Sequence, residues 1–370
     1  MSARLVSSLN LRPSTRTKLQ KAGFQTVKDL QETTPIELSK GIKNLFSFVI
    51  EHKSHNIDIK LFIKEIGISN NEALNILQQI KKNKVTSISA SEALQQERKL
   101  CPISTSCEAM DQMLGGRGVP VGKITEFCGA PGMGKTQLGM QLCVNVQIPQ
   151  NLSGPEGEAI FIDTEGSFIA QRAAEIARAT INKLNENSVT ECDPPMNFDI
   201  VMSKIYVSKV HNCDELIALI KVLDEFLQEH PRVKLLVIDS IAFHFRQQFD
   251  DMALRTRLLN GLAQDLNKFA QSYELAVVLF NQMTTKFIIS GKYNLKDQAA
   301  LVPALGESWG HQCTNRIVLY WRNEIRCAQL VKSPSLQETT VHYQINSTGV
   351  RDYQADSLNS KRRWEELYDI

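Results

Sequence analysis

The stretch that most constrains this chain is FCGAPGMGKTQLGMQ, residues 127–141, which sits between an apolar run and a helical one. GAPGMGKT, Gly129 to Thr136, satisfies GxxxxGK[ST] at every position, a pattern that has its meaning as a loop joining a strand to a helix. The loop Gly129, Ala130, Pro131, Gly132, Met133 and Gly134 then wraps a phosphate chain with backbone donors and a helix N-terminus. Gly132 and Gly134 permit the tight path, Lys135 neutralises the outer phosphate oxygens, and Thr136 offers a hydroxyl to Mg²⁺. A fold that can carry such a loop is α/β, with its sheet buried on both faces.

The rest of the chain from Cys101 onward agrees. KITEFC, EAIFID, KIYVS, KLLVID and LAVVLFN are short continuous apolar runs that read as strands of a parallel sheet. Amphipathic helices are expected between them at 136–144, 171–181, 214–229 and 256–272. After Trp309, the runs RIVLYW, RCAQLVKS and TTVHYQI follow closely with turn signals, as an antiparallel extension requires. LLVIDS ends its strand on Asp239, placed to hold Mg²⁺ directly or through water about a hundred residues after the phosphate loop. FIDTEG supplies two carboxylates: Asp163 reads as structural, and Glu165 as the group that orients or deprotonates an attacking water. FNQMT ends another strand with Gln282, a neutral amide able to sense a terminal phosphate.

The N-terminal third is different. Residues 1–84 carry 14 Lys+Arg against 7 Asp+Glu, although the whole chain has a formal net charge of only +2. TPIE and SNNE read as capping boxes, Thr26 with Asp29 as a weaker one, and helical periods run over 15–22 and 73–82. These predict a small all-helical module over 1–82 and a polar linker with a short helix over 83–100. The core is expected over 101–350, and a polar tail over 351–370. Residues 41–64 interrupt the module, and 14 of these 24 are Ile, Lys, Phe or Asn, so they read as an insertion or a gene-model artefact. The eight cysteines lack metal-ligand spacing and read as reduced thiols; no run approaches a membrane span, and no secretory leader is recognisable. The expected location is the nucleus, with the cytoplasm as a second compartment.

GAPGMGKTQL, IDTEGSF, LLVIDS, RTRLLNGLAQ, NQMTTK and ALGESWGH together resemble the RecA-family recombinases, specifically a eukaryotic paralogue of the strand-exchange recombinase. The resemblance covers essentially 101–350, and the N-terminal module resembles the family's helix-hairpin-helix domain. It implies a RecA-like P-loop ATPase core, a mostly parallel sheet with an antiparallel C-terminal extension. It also implies ATP and Mg²⁺ as cofactors and a DNA-dependent ATPase acting in homologous recombination repair. Arg172 matches the arginine that stacks on adenine. Arg246, Arg255 and Arg257 fall where a first DNA-binding loop is expected, and Lys286, Lys292 and Lys296 where a second is. Lys332, in KSPS, matches a segment that caps ATP across a subunit boundary, and His311 lies near the base of the second loop. The implied partners are single-stranded and branched DNA, other recombinase paralogues in a heteromeric complex, and the strand-exchange recombinase itself. No membrane partner is implied.

Two departures shape that expectation. Ser87 stands where the family's F-x-x-A polymerisation hook carries its aromatic, which removes an anchor worth ~2 kcal/mol or more. The second DNA loop also has little resemblance to the recombinase's own. Both point away from extended self-filaments and full strand exchange, toward an accessory subunit. Two rivals stay open on sequence: an adaptor that holds ATP as interface glue without turning it over, and a ring helicase on the same core. Lys361, Arg362 and Arg363 in the tail form a short basic cluster compatible with nuclear import.

Overall fold

The computed structural model describes residues 13–21, 25, 88–187, 196–247, 249, 251–288 and 298–354. The chain divides into two compact units, Met1–Ala93 and Leu94–Ile370. In the first, α1 (Pro13–Lys21) starts on a proline and buries Thr15 and Leu19. The capping boxes expected at TPIE and SNNE, the 41–64 insertion, Ser87 and the basic cluster at 361–363 lie outside the described residues.

The linker's short helix is α2 (Ala90–Lys99), which crosses the division between the units. It opens on a capping box: the Ser89 backbone N–H donates to Glu92 Oε2 at 2.8 Å and the Glu92 N–H donates to Ser89 Oγ at 3.2 Å. The second unit continues with α3 (Glu108–Met113), β1 (Ile124–Gly129) and α4 (Lys135–Asn145). Next come β2 (Glu158–Asp163), α5 (Ala170–Asn187), α6 (Phe198–Ser203), β3 (Ile205–Lys209), α7 (Cys213–Glu229) and β4 (Val233–Asp239). Then follow α8 (Phe243–Gln247), α9 (Met252–Ser272), β5 (Ala276–Asn281), β6 (Met283–Ile288) and β7 (Gln298–Pro303). The unit closes with α10 (Gly306–Gly310), β8 (Asn315–Arg322), β9 (Ile325–Lys332), β10 (Thr339–Asn346) and β11 (Gly349–Asp352).

Nine strands form one sheet in the order β11-β10-β9-β8-β1-β5-β4-β2-β3. Strands β8, β1, β5, β4, β2 and β3 are parallel, and β9 to β11 extend the sheet antiparallel. RIVLYW is the strand where the two parts join: β8 runs parallel to β1 on one side and antiparallel to β9 on the other, where the expected extension begins. KIYVS departs from expectation: β3 is an edge strand, so it is only partly covered.

Period-two alternation explains why the central runs are continuously apolar. Leu236, Ile238, Val277 and Leu279 pack with Leu216, Ile220 and Leu223 of α7 and Leu259, Leu262 and Leu266 of α9. Their neighbours Leu235, Val237, Val278 and Phe280 pack on the other face with Phe127, Phe161, Leu138 and Leu142. Because both faces are apolar, the register rests on the specific packing of the two clusters, which a one-residue slip would break by moving every side chain to the other face. The register aligns the strand ends: Asp163 lies opposite Asp239, Asp239 opposite Phe280, and Cys128 opposite Asn281. The carboxyl ends of β1, β2, β4 and β5 thus form one rim, where open α/β sheets bind their ligands.

Candidate nucleotide site

The phosphate loop joins β1 to α4 as its spacing requires. Gly134 caps α4 in the left-handed region with φ 87°, and a Cβ there would lie 1.9 Å from Ile345 Cδ1. Gly132 is left-handed too, with φ +81° and open space where a Cβ would be. From β10, the buried Tyr343 donates its phenolic hydrogen to Met133 O at 2.7 Å and braces the loop from behind. Lys135 Nζ donates to Gly129 O at 2.8 Å and Ala130 O at 3.0 Å, curled along the loop. Burial lowers the Lys135 pKa, with Asp239 and Glu165 pulling it back up.

Thr136 Oγ1 donates to Asp239 Oδ2 at 2.5 Å, bringing together the two residues expected to hold the cation. Asp239 is 2% exposed, and that burial pushes its carboxyl up to about 6 from 3.8; the Thr136 bond and Lys135 oppose the rise and Glu165 adds to it. Asp163 is structural: its carboxylate accepts from the backbone N–H groups of Glu165, Ser167 and Phe168 and fixes the turn after β2. Glu165 leaves that turn so that its Oε1 accepts from Ser240 Oγ and, at 2.6 Å, from Gln282 Nε2. Gln282 Oε1 in turn accepts from Arg246 at 2.8 Å. Glu165, Gln282 and Arg246, read from three separate stretches of sequence, are one hydrogen-bonded row.

Arg172, on α5, is held at its edge by Gln137 Oε1 at 2.7 Å, Glu175 Oε2 at 2.8 Å, Ser347 O at 2.7 Å and Asn346 O at 2.6 Å. A guanidinium tied by its edge keeps its faces for stacking, and Gln137 sets it beside the phosphate-loop helix.

Other expectations need correction. Arg246 lies on the short helix α8, exposed, while Arg255 and Arg257 lie in the first turns of α9, so these arginines are helical and not on a loop. Asp251 starts α9 early by accepting from Ala253 N at 2.8 Å and Leu254 N at 3.1 Å. Burial and the neighbouring Arg246 lower the Arg255 pKa, which records two guanidinium groups held near each other. The segment after Gln282 begins and ends as an antiparallel ribbon of β6 and β7. Lys286 is exposed on β6, 3.9 Å from Glu307, whereas Lys292 and Lys296 lie outside the described residues. Lys332 is tied within its own chain: its Nζ donates to Gly310 O at 2.9 Å, His311 O at 3.2 Å and Cys313 O at 2.6 Å. Those carbonyls at the end of α10 need donors, and the lysine supplies them.

One buried group escaped sequence reading. Glu126, in the middle of β1 and 0% exposed, pairs with Arg316 Nε at 2.5 Å and accepts from Asn281 Nδ2 and Trp309 Nε1, each at 2.8 Å. Asn281 Nδ2 also reaches Ala304 O at 2.9 Å, and Ala304 N donates to Gln282 O at 2.8 Å. Glu126 thereby ties the strand that leads into the phosphate loop to both feet of the β6–β7 ribbon. An acid inside the apolar run KITEFC was its only signal.

A phosphate loop after β1, a carboxylate at the end of the neighbouring-but-one strand β4 and a nine-stranded, mostly parallel sheet define a RecA-like α/β core. The Rad51 family profile matches residues 96–353, and the chain belongs to the Rad51 family. It is 42% identical over 374 residues to the DNA repair protein RAD51 homolog 3 of Cricetulus griseus, covering 96% of this chain and 93% of that protein. It is 45% identical over 254 residues to the protein of the same name from Dictyostelium discoideum, covering 68% of this chain and 65% of that one. Among the described residues, no helix is long and apolar enough to cross a membrane.

Proposed function

We propose that this chain is an ATP- and Mg²⁺-dependent, DNA-binding recombinase paralogue, the one lettered C, acting in the nucleus, and also present in the cytoplasm, in homologous recombination repair of DNA breaks. The observation that carries the reading is the meeting of Thr136, Asp239, Lys135 and Glu165 on one rim of the sheet. Gly129 to Thr136 would hold the phosphates of ATP, Lys135 would leave its loop carbonyls for phosphate oxygens, and Arg172 would stack on the adenine. Thr136 and Asp239 fit Mg²⁺: two hard oxygens lie in contact, and a cation there would favour the charged form of the buried Asp239 carboxyl, which desolvation opposes. Bound ATP with Mg²⁺ would supply an electrophilic terminal phosphoryl group. Glu165 would orient the attacking water and take its proton, and Gln282 would read the terminal phosphate.

Arg246, which bonds Gln282, and the exposed Arg257 and Lys286, with the half-buried Arg255, would give single-stranded or branched DNA a cationic surface. Lys292 and Lys296 are proposed for it on sequence grounds alone. The names of the two relatives support the repair role and the letter C; Ser87 in place of the aromatic hook supports assembly with related paralogues and with the strand-exchange recombinase over self-polymerisation. We keep 1–82 as the helical domain, 83–100 as linker and 101–350 as the ATPase core, whose last strand runs on to Asp352.

The test is single-turnover ATP hydrolysis by the purified full chain, with and without single-stranded DNA, for the wild type and Glu165→Gln. The hydrolytic reading expects DNA to raise the wild-type rate and Glu165→Gln to reduce it to a small residual rate. A rate indifferent to both would make the chain an adaptor that uses ATP as interface glue.

A further inference from the structure

The geometry points to Ser240 as a positioning residue for Glu165, locked in place by Thr164; this rests on the hydrolytic reading above. The register that sets Asp163 opposite Asp239 continues beyond the two strands. The next pair, Thr164 and Ser240, forms a two-way clasp: Ser240 N donates to Thr164 Oγ1 at 2.7 Å, and Thr164 Oγ1 donates to Ser240 O at 2.9 Å. Thr164 N also donates to Asp239 O at 2.9 Å. Thr164 and Ser240 are 4% and 1% exposed, so water does not compete for these bonds.

The clasp has a geometric consequence. Thr164 immediately precedes Glu165, and Ser240 immediately follows Asp239. Fixing Thr164 to Ser240 therefore fixes the spacing between the proposed water-orienting carboxylate on one strand end and the proposed cation ligand on another. With both backbone groups of Ser240 taken by Thr164, its hydroxyl is left for the Glu165 carboxylate, and it donates to Oε1. Gln282 Nε2 donates to the same oxygen. Two donors on one oxygen stop the carboxylate from turning, and among the described residues Oε2 has no hydrogen-bond partner. Oε1 is the held end of the carboxylate and Oε2 the working end. An acid that merely capped a strand in solvent would need no such arrangement.

The test compares single-turnover ATP hydrolysis, with Mg²⁺ and a single-stranded oligonucleotide, for the full-length wild type, Ser240→Ala, Glu165→Gln and the double variant. Affinity for a fluorescent ATP analogue is measured alongside. Loss of the positioning donor is expected to slow the chemical step about 10- to 100-fold. Nucleotide affinity should stay within about two-fold, because Ser240 touches neither the phosphate loop nor the adenine platform. The double variant should be no slower than Glu165→Gln alone, since Ser240 acts through that carboxylate. Thr164→Val should slow hydrolysis likewise and Thr164→Ser should not, which covers the case in which Ser240→Ala fails to fold. Wild-type turnover in Ser240→Ala, or a double variant slower by the product of the two single effects, overturns the inference alone. A wild type whose turnover ignores Glu165→Gln overturns the hydrolytic reading, and the positioning role falls with it.

Discussion

Replacing Asp239 with asparagine should stabilise the nucleotide-free protein while destroying its hold on Mg²⁺-nucleotide. The carboxyl is 2% exposed and burial moves its pKa from 3.8 to about 6. A carboxyl whose folded pKa is raised favours the folded state fully only below its unfolded value, and that contribution is lost as pH rises through the folded value. At ~1.4 kcal/mol per pH unit, the ionised Asp239 costs the folded core ~3 kcal/mol above pH 6, falling to about half of that at pH 5. Asparagine keeps an oxygen for the Thr136 hydroxyl, which now donates at 2.5 Å, and carries no charge to desolvate. Asp239→Asn should therefore gain ~3 kcal/mol over the wild type at pH 7.5, and the gain should shrink as pH falls toward 4. Hydrogen exchange of the amides of β1, β4 and β5 reports the opening free energy of this core without assuming that both units unfold together. Saturating ATP with Mg²⁺ should slow that exchange in the wild type and not in the variant. A variant less stable than the wild type at pH 7.5, or a difference that does not change with pH, would refute the reasoning.

Two further outcomes follow from the geometry. Glu126→Gln leaves Arg316 as a buried, unpaired cation and should cost ~3–5 kcal/mol in thermal or denaturant unfolding, although it changes no atom at the nucleotide. Alanine in place of Arg246, Arg257 or Lys286 should each reduce the slope of log affinity for single-stranded DNA against log salt by about 1, measured by fluorescence anisotropy, with no loss of ATP binding.

The sequence carried the α/β order because each buried strand is an unbroken apolar run, and EAIFID matches β2 from Glu158 to Asp163. GAPGMGKT was legible because its chemistry is local: the loop, the lysine and the hydroxyl are contiguous. Legibility ended where partners are distant in sequence. Glu126 finds Asn281, Trp309 and Arg316 across 155, 183 and 190 residues, so KITEFC could show an odd acid but not its network. KSPS does not show the three carbonyl partners of Lys332, 19 to 22 residues away, because only folding brings the end of α10 to it. Arg255 lies on a helix and not on the expected loop because the Asp251 cap, a single side chain, moves the start of α9 ahead of Thr256. Ser240 was read only as the residue after Asp239; its donor role needs the register of β2 against β4.

If the loop from Gly129 to Thr136 holds ATP with a cation shared by Thr136 and Asp239, binding must depend on both the lysine and the metal. Calorimetric titration of ATP into the full chain, with Mg²⁺ and with chelator, for the wild type and Lys135→Ala, tests this most directly. Binding should require Mg²⁺ and be lost in Lys135→Ala; equal affinity in the two proteins, or binding indifferent to Mg²⁺, would contradict the proposed site.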